Sequence, residues 1–232
     1  MDKLLHSSTV VAPIKSRLEI IRPENAAKID LTGFRAIEPF KAFSFKITET
    51  IARYFGEDEP LHKKNLVFLG ARGCDLEAQE VLDRVNLEGE FADPFYSAGR
   101  ENILLIGADC TACGSTCFCT LMRGKPYATK LFDLNLSWVE NGYAVEIGTE
   151  KGNKIIAENK ALFRAADALQ LEKKEQNRAK VEKLLEEMNS QYKIRKDLSI
   201  IHKTNLRNKV WRELTKNCVE CSACNFVCPT CT

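Results

Sequence analysis

Leu66-Val-Phe-Leu-Gly-Ala-Arg-Gly-Cys-Asp-Leu-Glu-Ala-Gln-Glu-Val-Leu-Asp-Arg-Val85 is the stretch that decides the fold. Residues 66–70 make a short apolar run closed by glycine, which fits a buried strand better than a helix by length and flanking. Gly70 and Gly73 bracket a loop. From Cys74 to Val85 the apolar residues fall at 78, 81, 82 and 85, the spacing of one helical face. A strand, a glycine loop and a helix place Cys74 at a helix N-terminus, where the dipole favours the thiolate that ligates metal or attacks an electrophile. A buried, inert cysteine is the competing reading.

Working outward, Asn102-Ile-Leu-Leu-Ile-Gly-Ala108 reads as a second strand and runs straight into Cys110, Cys113, Cys117 and Cys119. Four cysteines in ten residues exceed what core packing requires. The carboxyl ends of strands in an α/β sheet are where sites assemble. Cys74 follows one such strand and Cys110 another, so the two loops can converge on a metal centre. Beyond them, Lys130–Trp138 and Tyr143–Gly148 alternate apolar and polar residues around Asn141-Gly142, a hairpin signal that adds antiparallel strands. Thr149-Glu-Lys-Gly-Asn153 reads as a further turn before Lys154-Ile-Ile156. From Asn159 the period becomes helical, through Leu162, Ala166 and Leu169, then Val181, Leu184, Leu185, Met188 and Tyr192: one long or two shorter amphipathic helices whose stripe is core. Residues 193–217 read as a polar link, with Trp211 packing ahead of the tail. The expectation is an α/β fold, a mixed sheet with flanking helices.

The tail carries Cys218, Cys221, Cys224 and Cys228-Pro229 at the Cys-x2-Cys-x2-Cys-x3-Cys-Pro spacing of bacterial ferredoxins, followed by Cys231. The two-residue gaps let three thiolates surround one face of a 4Fe-4S cubane, while the fourth cysteine of such a run ligates a second cluster. Structural zinc suits two-residue gaps too, although it usually takes two separated pairs. A disulfide framework is not implied, since the start of the chain is polar and carries no apolar signal segment; the chain reads as cytoplasmic.

Composition fits a globular chain: 232 residues, 44% hydrophobic and 28% charged, with a net charge of +2. No apolar run approaches the roughly 20 residues of a membrane helix, so membrane insertion is not expected. Basic side chains outnumber acidic ones between 151 and 216, which reads as a solvated helical surface and not as a nucleic-acid site. His6, His62 and His202 stand in polar surroundings without a catalytic arrangement around them. Gly70-Ala-Arg-Gly73 lacks the three-glycine dinucleotide spacing, and there is no Walker loop.

Gly70-Ala-Arg-Gly-Cys-Asp75, Asp93-Pro-Phe-Tyr96, the Cys110–Cys119 group and the cysteine tail together resemble the 4Fe-4S dicluster family, which includes the beta subunits of sulfhydrogenases and an iron–sulfur subunit of anaerobic sulfite reductase. The resemblance covers about residues 40–232. It implies an iron–sulfur electron-transfer subunit of a multi-subunit anaerobic oxidoreductase, partnered by flavin-containing and catalytic subunits and not catalytic alone. It implies Cys74, Cys110, Cys117 and Cys119 as ligands of an upstream 4Fe-4S cluster, with Cys113 a bystander or substitute. Cys218, Cys221, Cys224 and Cys228 then belong to a ferredoxin-type module. Family members continue into a second ferredoxin motif, so the resemblance implies a chain truncated within that module. The implied division is an α/β domain over 1–157 holding the cysteine-rich site, a helical segment and linker over 158–210, and the first half of the ferredoxin module over 211–232. Two other classes remain: a zinc-stabilised interaction module without a redox role, and a thiol enzyme using Cys74.

Overall fold

A computed structural model describes residues 2–45, 50, 54–55, 65–192 and 198–231; His62 lies outside them. The strands are β1 (Thr9–Ile14), β2 (Arg17–Ile20), β3 (Leu66–Ala71), β4 (Ile103–Ala108), β5 (Leu134–Val139) and β6 (Gly142–Ile147), and they form one sheet in the order β2-β1-β3-β4-β5-β6. Neighbouring pairs from β1 to β5 are parallel and the two edge strands are antiparallel, so the protein is α/β with a mixed sheet. Helices α1 (Asp2–Ser7), α2 (Lys41–Ser44), α3 (Gly73–Leu87), α4 (Pro94–Glu101), α5 (Glu150–Glu158), α6 (Ala168–Asn189), α7 (Leu198–Thr204), α8 (Lys209–Thr215) and α9 (Ala223–Val227) accompany it.

Both faces of the sheet are covered, as a parallel sheet requires. Successive strand residues point to opposite faces. Val11, Phe68 and Leu105 therefore join Phe40 and Leu76 in one core, while Val10, Ala12, Val67, Leu69, Ile106 and Leu134 build the other. β1 lies inside the sheet and all but its first residue are buried. Its run Val10-Val-Ala-Pro-Ile14 is an apolar strand signal within residues 1–39, where the family motifs offer none.

Several local expectations change. In α3 the buried positions are Gly73, Leu76, Ala78, Gln79 and Leu82, whereas Val81 and Val85 are exposed. The helix begins at Gly73, earlier than its apolar pattern suggests, because Asp75 accepts the Arg72 backbone N–H at 3.0 Å and closes the first turn. The β5–β6 hairpin forms, but Val139 pairs with Gly142, so Glu140-Asn141 make the tip and Gly142 opens β6. That register sets Trp138 against Tyr143, ring centroids 5.2 Å apart.

The turn expected at 149–153 is the start of α5. Thr149 caps it, accepting the Gly152 N–H. Gly152 is a packing glycine, since a Cβ there would collide with Asp133 O. Leu162 and Leu169 are exposed, and the Asp167/Gln170 capping box starts α6 at Ala168. The buried stripe of α6 is Lys174, Arg178, Val181, Leu185 and Asn189; Leu184 and Tyr192 face outward. The described part of 193–217 is largely helical. Trp211 donates to Asn205 O at 2.6 Å and lies edge-on to His202.

Candidate metal centre

β3 and β4 are parallel neighbours, and their carboxyl ends deliver Cys74 and Cys110 to the same edge of the sheet. Arg72 locks the two ends together. Arg72 is 1% exposed, and its guanidinium donates to Ala108 O at the end of β4 and Asp109 O just after it, at 3.2 and 2.7 Å, and to Leu31 O and Thr32 O, each at 3.0 Å. A buried cation satisfied by four carbonyls fixes every backbone segment it touches. Gly73 lets α3 start here, because a Cβ would stand 2.7 Å from Tyr127 O in the loop that returns from the cysteine group.

That loop is held from several sides. The Cys110 N–H donates to Pro126 O at 2.8 Å, the Thr111 N–H to Gly33 O at 2.9 Å, and the Gly124 N–H to Cys119 O at 2.9 Å. Gly114 lies on the Phe34 ring. The Gly114 N–H donates to Cys117 Sγ at 3.3 Å, the kind of amide-to-sulfur bond that helps set a cluster's potential.

Helix α6 closes the other side. Arg178 pairs with buried Asp109 at 2.7 Å, bonds Ser137 Oγ and Glu146, and stacks over Tyr127 at 4.3 Å. Asp109 also accepts from Asn135 at 2.8 Å and Ser137 at 2.6 Å. Near the end of the helix, Asn189 donates to Cys117 O at 3.1 Å. Asp109 immediately precedes Cys110, so this polar network ties the base of the cysteine loop to α6.

The thiols themselves are close enough to sense one another. Burial pushes Cys74 up, helped by Asp75, Cys110 and Cys119 and opposed by Arg35. Burial raises Cys110 to about 12; Arg72 opposes this, while Cys119 and Cys117 add to it. Cys119 is raised by burial and by Cys117, and Cys113 by burial and by Cys117. Cys74, Cys110, Cys117 and Cys119 thus form one electrostatic neighbourhood, with Cys113 touching it only through Cys117. At the N-terminus of α3, where the dipole would favour a thiolate, burial and the neighbouring Asp75 act the other way on Cys74. Among the described residues, no three cysteine, histidine, aspartate or glutamate side chains converge as a single ion would need.

The tail is built differently. Cys218, Cys221 and Cys224 are exposed, and Ser222 and Glu220 adopt left-handed backbone conformations. Cys228 and Cys231 are half-buried. Burial would raise Cys228, but hydrogen bonds from Thr230 and Cys231 outweigh it and bring it down to about 7. Lys41 of α2 reaches across to Asn225 O at 2.7 Å and to Cys231 O, anchoring the end of the tail to the body.

The residues that sequence reasoning missed are Arg72, Asp109, Arg178, Asn189 and Lys41. Arg72 sat in view between the two glycines, and Arg178 and Asn189 share a helical face with Val181 and Leu185; each was hidden by being polar. The chain is 30% identical over 239 aligned residues, spanning 99% of its own length and 68% of the relative's, to sulfhydrogenase 2 subunit beta of Pyrococcus furiosus. No family model matches it. No solved structure matches it either.

Proposed function

This chain belongs to the sulfhydrogenase beta-subunit family, and from that membership we propose that it is an iron–sulfur electron-transfer subunit of a hydrogenase-type complex. The observation that carries the reading is the placement of Cys74 and Cys110 just beyond the carboxyl ends of the parallel neighbours β3 and β4, with Cys117 and Cys119 in the loop that follows β4. Four thiol donors in a partly buried, amide-lined site suit a 4Fe-4S cluster, which when bound supplies one-electron transfer.

In this proposal those four cysteines hold the upstream cluster. Arg72 holds both strand ends in place and sets positive charge beside Cys110. The Gly114 N–H stabilises charge on the Cys117 sulfur. Partial burial of Cys74 and Cys110 limits water around them. In the tail, Cys218, Cys221 and Cys224 supply thiolates to a ferredoxin-type cluster and Cys228 to another, and flavin-containing and catalytic subunits are the electron partners. We place the complex in the cytoplasm; no helix among the described residues is long and apolar enough to cross a membrane.

The test is metal analysis of the anaerobically purified chain. The expected result is iron and acid-labile sulfide in equal amounts with broad visible absorption. Stoichiometric zinc without sulfide would replace this reading with the interaction module.

A further inference from the structure

We propose that Cys228 and Cys231 form a thiol–disulfide exchange site, a dithiol that closes to a disulfide within the Cys228-Pro-Thr-Cys231 segment. The Cys-x-x-Cys spacing is that of redox dithiols. Helix α9 ends at Cys228, whose backbone is extended (φ −71°, ψ 122°), and Pro229-Thr230 turn the chain back. The Cys228 and Cys231 sulfurs lie close enough to interact, and Thr230 Oγ1 lies 3.3 Å from the Cys228 sulfur. Residues 228–231 are half-buried where 218–227 are exposed, and Lys41 holds Cys231 O and Asn225 O from the body of the protein. The pair is thus held in reach of a bond. Cys218 and Cys221 carry no comparable contact among the described residues, and Cys224 has only a weak one, Sγ to Asn225 Oδ1 at 3.8 Å.

The co-reactant is a low-molecular-weight disulfide, RSSR. The Cys228 sulfur attacks it, forming a Cys228–SR bond as the S–S bond of RSSR breaks and one RS− leaves. The Cys231 sulfur then attacks Cys228, forming the internal disulfide and expelling the second RS−. Two electrons pass from the protein to RSSR, and the two thiol protons end on two RSH. A dithiol reductant reverses both steps. The exchange itself does not depend on the proposed electron-transfer role. Its consequence does: while the bond is closed, Cys228 is withheld from metal, so the iron capacity of the tail follows the thiol redox state.

The experiment treats the full metal-free chain with oxidised glutathione without oxygen, blocks remaining thiols and maps the cysteines by peptide mass. The expected product is a Cys228–Cys231 disulfide, a peptide lighter by two hydrogens, in clear excess over any other pairing. Cys231→Ser should stop at a Cys228–glutathione mixed disulfide. Disulfides scattered evenly over the tail cysteines overturn the proposal. So does a Cys231→Ser chain that rebinds less iron on reconstitution while the parent chain forms no 228–231 bond, since Cys231 is then a ligand. The upstream iron held by Cys74, Cys110, Cys117 and Cys119 is counted separately, so failure here leaves the electron-transfer reading standing.

Discussion

Cys74, Cys110, Cys117 and Cys119 stand on a floor made by a sheet, two helices and a buried arginine, while Cys218, Cys221 and Cys224 stand on short segments open to solvent. The upstream group inherits its geometry from strand pairing and polar networks built by the chain itself. The tail has little to bury: Val219 is 82% and Phe226 70% exposed. Placing cysteines at the right spacing is therefore a different matter from holding them, and the two regions of this chain differ in how much of the fold surrounds their cysteines.

The largest effect expected from that contrast concerns Arg178. Replacing it with Met leaves Asp109 buried without its cation, and breaking one side of such a pair costs about 3–5 kcal/mol. Chemical denaturation of the metal-free chain should show that loss, while Cys218→Ser, at an exposed position, should stay within about 0.5 kcal/mol of the parent. Equal losses in the two variants would erase the distinction.

Chelation sharpens it next. Stripping metal should leave residues 65–192 resistant to limited proteolysis and expose the chain beyond residue 216 to rapid cutting, with protection returning when iron and sulfide are rebuilt. A tail equally resistant with and without metal would mean that Lys41 and its neighbours suffice to fold it.

Thiol reactivity ranks the sites more finely. With iodoacetamide near neutral pH, the metal-free chain should be alkylated fast at Cys228 and slowly at Cys74 and Cys110, read by peptide mass. Fast modification of Cys74 would favour the nucleophile reading.

The smallest effect is the pH dependence. Cys110 is raised to about 12 in the folded chain, so its contribution to stability is complete below the ordinary thiol value of about 9 and is lost as pH climbs towards 12. Cys228 is lowered to about 7, so its contribution is present above the ordinary thiol value and is lost as pH falls through 7. Thermal melts of the metal-free chain should decline on the alkaline side, and Cys110→Ser should flatten that decline.

β3 and β4 were legible because they are continuous apolar runs bounded by glycine and alanine, and the β5–β6 hairpin by its alternation around Asn141-Gly142, whereas β1 and β2 were not read as strands. What stayed hidden was carried by polar residues in buried places. Lys174, Arg178 and Asn189 occupy the inward face of α6 and blur the apolar stripe that marks a core helix. Gly152 and Thr149 read as a turn because a packing glycine in a first helical turn looks the same in sequence as a turn glycine. Lys41 touches residues 184 and 190 positions further on, a pairing that no local pattern encodes.

The central claim is that the sheet-borne cysteines hold a cluster without help from the tail. Iron and acid-labile sulfide should be measured on an anaerobically purified chain in which Cys218, Cys221, Cys224 and Cys228 are all serine. The account predicts about four irons and four sulfides per chain, abolished by a further Cys74→Ser; a variant of this kind without iron, or one whose iron survives Cys74→Ser, would contradict it.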